Sequence, residues 1–354
     1  MFTIIYLLYL KITYLNYLKG NTLNNLIKML ARKIYPKCGL SFKKIINTNP
    51  DFSKFYYFLG EPKPFDVTLR DGLQALSIEE QKKYTLKEKL NLYHRILFNY
   101  NPKNIEIGLI VSEKVLPVFK DSINLFNNVR LYEMNVCELS GAEALRTNKF
   151  ILVPNSKQLK NVVNNTGMNH FSFITSSSEK FQLKNTKQTL DESDNNLYEM
   201  MYNFEGNINR SKPPFIKLYV SCINECPISG KIDNNFIVNR LLKLNKMNVD
   251  NICLSDTCGT LDVKDFEYIV DTCKFFGLPS NKLSLHLRVK KGREYIVEKI
   301  IHKALDRRII DFDVSLLETD GCSVTMNKNQ IAPNLSYELY YKSLVNYIEK
   351  NIEE

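Results

Sequence analysis

An arginine and an aspartate stand side by side at Arg70 and Asp71, where the apolar run Phe65–Leu69 ends and Gly72 permits a tight turn. Such a pair at the end of a strand either serves a site or forms a surface salt bridge. Other apolar runs close in the same way. Glu106 lies in Asn104–Gly108, Asp256 follows Asn251–Ser255, and His286 ends Leu283–His286 with Arg288 two positions on. Side chains of a strand alternate with period two, so His286 and Arg288 share a face. Glu106 can pair with Arg70 or with a lysine of the helix that follows it, and Asp256 can cap the turn into Leu261–Phe275. Further on lie a loop thiol, Cys322, and an amide, Asn334; an exposed loop thiol can also be incidental. Cys222 and Cys226 are four apart and Cys253 and Cys258 five apart, so neither pair has the two-residue gap of a zinc knuckle. Cys222 and Cys226 are read as packed thiols.

These residues need a frame that brings them together. Eight short apolar runs recur at Phe65–Leu69, Asn104–Gly108, Phe150–Pro154, His170–Thr175, Ile216–Ser221, Asn251–Ser255, Leu283–His286 and Ile309–Val314. Amphipathic stretches separate them, among them Glu79–Asn99, Ser112–Asn124, Val263–Phe275 and Gly292–Leu305, and Tyr337–Glu349 closes the series. Eight strand–helix units predict an α/β fold, a (β/α)8 TIM barrel over residues 65–354, with residues 1–64 as an N-terminal extension. In that fold the strands' C-terminal ends build the active site. Asn127–Asn148 reads as an insertion before the third strand, and Ser176–Asn196 as a polar loop. No glycine pattern of a Rossmann unit or a P-loop is present.

With 354 residues, 44% hydrophobic and 24% charged, the chain is able to bury a sizeable core. Its net charge of +10 comes from scattered lysines with no basic run interleaved with aromatics, which speaks against a nucleic-acid partner. Eight cysteines without framework spacing point to reduced thiols and a cytoplasmic setting. Phe2–Leu18 carries Lys11 and Asn16 and is short for a membrane span, so no firm membrane association is expected. Mitochondrial targeting or an amphipathic anchor in the extension stays open.

Leu69-Arg70-Asp71-Gly72-Leu73-Gln74 resembles the opening motif of the metal-dependent lyase and acyl-transferase superfamily with the pyruvate carboxyltransferase domain, whose members include the hydroxymethylglutaryl-CoA lyases. The likeness continues in order: Ile105-Glu106 with Val111-Ser112, Val153-Pro154-Asn155, and Ser178-Glu179 with Phe181 and Asn185. Tyr219-Val220-Ser221-Cys222, with Cys226-Pro227 and Gly230-Lys231-Ile232, is similar to a segment of the hydroxymethylglutaryl enzymes in particular, and Asp256-Thr257 with Gly259 resembles the end of the sixth strand. The resemblance implies Asp71, His286 and Asn334 as ligands of a divalent cation, Mg²⁺ or Mn²⁺. It also implies Arg70, Glu106, Asp256 and Cys322 as catalytic residues.

The activity so implied is retro-Claisen cleavage of a 3-hydroxyacyl-CoA to acetyl-CoA and a keto acid, and a mild positive field suits that anionic substrate. A homodimer is left open. The pattern departs at two places. Arg288 stands where the family has a second histidine ligand, and a permanently charged guanidinium cannot coordinate a cation. Ser315-Leu316-Leu317-Glu318-Thr319 replaces a run of small residues and glycines before Cys322. The alternative to a working lyase is therefore an impaired paralogue that binds a CoA ligand, with Arg288 in place of the ligand histidine.

Overall fold

A computed structural model of the chain describes residues 64–140, 147–205, 214–317, 319 and 332–353. The extension up to residue 63 and Cys322 lie outside the described residues. Eight parallel strands close into a barrel: β1 (Phe65–Asp66), β2 (Asn104–Leu109), β3 (Asn148–Leu152), β4 (His170–Ser176), β5 (Phe215–Ser221), β8 (Asn251–Ser255), β9 (Leu283–His286) and β10 (Asp311–Val314). A small antiparallel hairpin, β6 (Glu225–Cys226) and β7 (Gly230–Lys231), projects after β5. Closure is between β1 and β10, with Phe65 opposite Asp313 and Asp66 opposite Val314.

The strands are buried along most of their length, as parallel strands in a barrel are, even at polar positions such as Glu106, Lys217 and Asp313. Every residue of β8 is buried. The outer helices present one stripe inward; in Glu294–Asp306 it is Val297, Ile300, Ile301, Ala304 and Leu305, spaced by three and four. Side-chain caps begin several of them. Asp262 accepts from Asp265 N at 2.9 Å and Asn155 from Gln158 N at 3.0 Å. No described helix is long and apolar enough to cross a membrane.

Three expectations need correction. The first strand stops at Asp66, and Thr68–Gly72 is one helical turn rather than strand. Asn127–Asn148 is not an insertion: Ser122–Ser140 is one helix, held to the barrel by Leu125, Phe126 and Val129 at helical spacing. Ser176–Asn196 is not a loop. Ser178 Oγ accepts from Phe181 N at 3.3 Å and starts the helix Glu179–Thr186, which buries Phe181 and Gln182, and Leu190–Glu205 follows. Its polar composition reflects helices whose outer faces are solvated.

Candidate active site

Asp66 sets the first part of the site. Its carboxylate accepts from Thr68 N and Thr68 Oγ1, each at 2.9 Å, and from Tyr337 Oη at 2.7 Å. The chain is thereby drawn out of the strand into a wide turn, with Gly72 N donating to Val67 O at 3.1 Å. The turn lies against β10: a Cβ on Gly72 would meet Ser315 Oγ at 2.9 Å, which only glycine avoids.

This turn places Arg70 and Asp71 in a buried cluster. Arg70 Nε donates to Glu106 Oε2 and Nη1 to Asp71 Oδ1, both at 2.6 Å. The guanidinium also lies 5.1 Å from the ring centre of Tyr219, whose hydroxyl donates to Glu106 Oε2 at 3.2 Å. Asp71's second oxygen, Oδ2, accepts from Arg288 Nη2 at 2.5 Å, and His286 Nε2 stands 3.7 Å from it. Burial alone would raise the Asp71 carboxyl, but the charges of Arg288 and Arg70, with His286, outweigh it and hold the group well below the usual carboxylate range.

The cluster continues into the barrel interior. His286 Nδ1 lies 3.0 Å from Asp313 Oδ2, and Asp313 Oδ1 accepts from Lys217 Nζ, an ammonium centred 3.5 Å from the Phe65 ring. Burial opposes ionisation of Asp313 as well, and Lys217 and His286 again reverse the sign, so its carboxyl titrates low. Formal charges among these ion-paired groups balance, with Arg70, Arg288 and Lys217 set against Asp71, Glu106 and Asp313.

Of the residues singled out in the sequence, Arg70, Asp71, Glu106 and His286 are joined by direct contacts. Asn334 is brought to their edge. It pairs with Arg288 as an antiparallel bridge, and Leu335 N donates to Leu287 O at 3.1 Å. Its amide is buried beside Asp71 and helps, as a hydrogen-bond donor, to hold that carboxyl low. Asp256 is turned the other way: Oδ1 accepts from Thr260 N at 3.1 Å and Oδ2 from Leu261 N at 3.0 Å, closing its own loop. Burial raises its carboxyl against these amides.

The donor set does not fit a divalent cation. Both oxygens of Asp71 are engaged by guanidiniums, and one of those guanidiniums holds the face that His286 and Asn334 also line. At this carboxylate an imidazole and one amide oxygen remain, and Glu106, whose Oε1 is unpartnered, is held on Arg70 through Oε2. Two neutral donors beside two guanidiniums are a poor set for a hard cation, which is held chiefly by carboxylate and carbonyl oxygens. Among the described residues no group of three or more His, Cys, Asp or Glu is arranged to hold a metal ion.

Sequence reasoning passed over Asp313 and Lys217 as site residues, and named Tyr219 only within a motif. Their signal is present as charged or hydroxylated positions inside otherwise apolar strands, Asp311 and Asp313 in β10 and Lys217 and Tyr219 in β5, spaced by two and so on one face. Lys217 is 2% exposed, a depth at which an ammonium needs a dedicated partner.

No protein-family profile matches the chain. In sequence it is similar to the mitochondrial hydroxymethylglutaryl-CoA lyase of Arabidopsis thaliana, 25% identical over 260 residues that make up 73% of this chain and 50% of that protein. The chain thus spans about half the length of the curated relative it matches. Among solved structures, the HMG-CoA lyase of Brucella melitensis superposes with a TM-score of 0.64 at 21% identity, covering 83% of this chain and 91% of that one. An HMG-CoA lyase of Acinetobacter baumannii, in complex with coenzyme A and 3-methylmalate, also gives 0.64 at 21% identity over 83% of this chain and 85% of that one. In sequence and in fold the chain is hydroxymethylglutaryl-CoA lyase-like, a (β/α)8 barrel.

Proposed function

We propose that the chain is a carbon–carbon lyase that cleaves a 3-hydroxyacyl-CoA by a retro-Claisen step, with hydroxymethylglutaryl-CoA as the first substrate to test. The observation that carries this reading is Arg70, an immobilised guanidinium at the strand ends with carboxylates on two sides and an aromatic face on a third. A fixed cation there suits the charge that develops on a thioester oxygen. His286 has Asp313 on Nδ1, which fixes the ring and leaves Nε2 to accept the proton of the substrate's tertiary hydroxyl. As that proton leaves, the hydroxyl carbon becomes a ketone, the adjacent C–C bond breaks, and its electron pair passes into the thioester enolate facing Arg70. Protonation of the enolate carbon then gives acetyl-CoA, with acetoacetate as the second product, and Cys322 is the proposed proton donor. The complex of the Acinetobacter baumannii structure supports coenzyme A as the carrier. The free thiols of Cys222, Cys226, Cys253, Cys258 and Cys273 support a cytoplasmic setting.

The test incubates the full-length protein with hydroxymethylglutaryl-CoA and follows acetyl-CoA and acetoacetate by mass spectrometry. Cleavage is expected, and Arg70→Ala should lower its rate by roughly 10²–10³ with the fold intact. Persistence of intact substrate with correctly folded native protein, with and without added Mg²⁺, would reject the reading in favour of a barrel that only binds its ligand.

A further inference from the structure

We propose that Arg288 is the resident cation of this site, and that the protein for this reason holds no divalent metal there. The inference goes beyond the lyase reading, since it concerns the charge the pocket carries and stands whether or not cleavage is observed.

Three observations converge on it. Arg288 is 6% exposed, and its guanidinium is anchored at both ends, with Nη2 on Asp71 Oδ2 at 2.5 Å and Nη1 facing Ala332 O at 3.4 Å. The main chain holds it there too. Val289 N donates to Pro333 O at 2.8 Å, and Gly259, at φ +64°, packs so close that a Cβ would meet Arg288 O at 3.2 Å and Arg288 Cβ at 3.3 Å. The side chain therefore has little room to swing away and free the carboxylate.

The second observation is the charge balance. Three cations and three carboxylates are joined by ion pairs in a buried cluster, so a divalent ion placed beside Asp71 would leave two uncompensated positive charges in low dielectric. Replacing Arg288 with a neutral residue leaves the cluster one negative charge in excess, which is the condition that draws a cation in.

The third is geometric. His286 and Arg288 lie on one face, and Arg288 is the bridge partner of Asn334, which brings the imidazole, the guanidinium and the Asn334 amide to the same carboxylate. A histidine at position 288 would complete a set of Asp71, two imidazoles and the Asn334 oxygen. The present residue supplies instead a positive charge with planar donors, which suits a ligand oxygen.

Manganese titration followed by electron paramagnetic resonance tests this directly, because free Mn²⁺ gives a six-line signal that is lost on binding. With native full-length protein in excess the signal should persist, whereas Arg288→His should remove one equivalent per chain and bind at least tenfold more tightly than native. Arg288→Leu, which removes the charge and adds no donor atom, should fall between the two. Native protein that takes up one equivalent of Mn²⁺ overturns the proposal, with no variant needed. So does an Arg288→His protein that unfolds at the native temperature and binds Mn²⁺ no better than native. If Arg288→His does not fold, Arg288→Leu decides: tighter binding than native supports the proposal and equal binding rejects it. None of these readouts uses substrate, so a failed cleavage assay leaves them standing.

Discussion

Two aspartates follow barrel strands and meet different fates. Asp71, after β1, gives each of its oxygens to a guanidinium from a distant part of the barrel or its own turn, while Asp256, after β8, gives both of its oxygens to amides four and five residues along its own loop. Residue type and position at the rim are the same in both. What separates a site residue from a cap is whether its partners are side chains of other strands or backbone of the same loop. The π-type turn after β1 points Asp71 inward, and the tight turn at Thr257–Thr260 folds the chain back over Asp256.

The comparison breaks first on stability. Asp71→Ala strands Arg70 and Arg288 without one of their carboxylates, and losing one partner of a buried ion pair costs about 3–5 kcal/mol. Urea unfolding should show a loss in that range; a loss below about 1 kcal/mol would mean that the cluster is hydrated and the contrast with Asp256 is empty. Asp256→Ala removes an acceptor from two amides and should cost about 1–3 kcal/mol, less than Asp71→Ala, because the loop can turn those amides to water. Equal losses at the two positions would erase the distinction.

A pH slope sharpens the comparison by bringing in Asp66, an acid fixed by both kinds of partner. Burial pushes its carboxyl up from 3.8 to about 7, against hydrogen bonds from Tyr337 and Thr68. The folded chain keeps this proton where the unfolded chain has lost it, so its contribution is full below 3.8 and is lost as pH rises to about 7. Asp71 and Asp313 act in the opposite sense: their folded values are depressed, so their contribution is present above the unfolded value and is lost as pH falls through the folded one. Asp66→Asn should flatten the decline between pH 4 and 7, by an amount on the order of a few kcal/mol across the window. Denaturant midpoints that decline with pH as steeply as in the native protein would place the titration elsewhere.

The same contrast explains what was legible in the sequence. The bounds of β8 and β9 could be read directly, the first because Ile252-Cys253-Leu254 is a short apolar run between polar residues and the second because Leu283 and Leu285 alternate with Ser284 and His286. The end of β1 could not, since it is decided by the Asp66 carboxylate meeting Thr68 and Tyr337, a contact across 271 residues in the latter case. Arg70, Asp71 and His286 were visible as polar residues at the ends of apolar runs, and Glu106 as an acid inside one. Lys217 and Asp313 were hidden because the mark they leave, two polar positions at a spacing of two in each strand, is the same one that a strand with a solvated face leaves. The turn of Asp256 toward its own loop depends on backbone amides, which every sequence possesses.

The seam that closes the barrel is also where its chemistry is assembled. Arg288 and Asp71 are 217 residues apart, Leu316 N and Thr68 Oγ1 248 apart, and all of these join the two ends of the described chain. Arg70, Asp71 and Glu106 come from the opening strands, and His286, Arg288, Asp313 and Asn334 from the closing ones. Neither half of the barrel carries a working set. Closing the barrel and completing the ion-pair cluster are therefore one event, since the Arg288–Asp71 pair cannot form before the closing strands are in place.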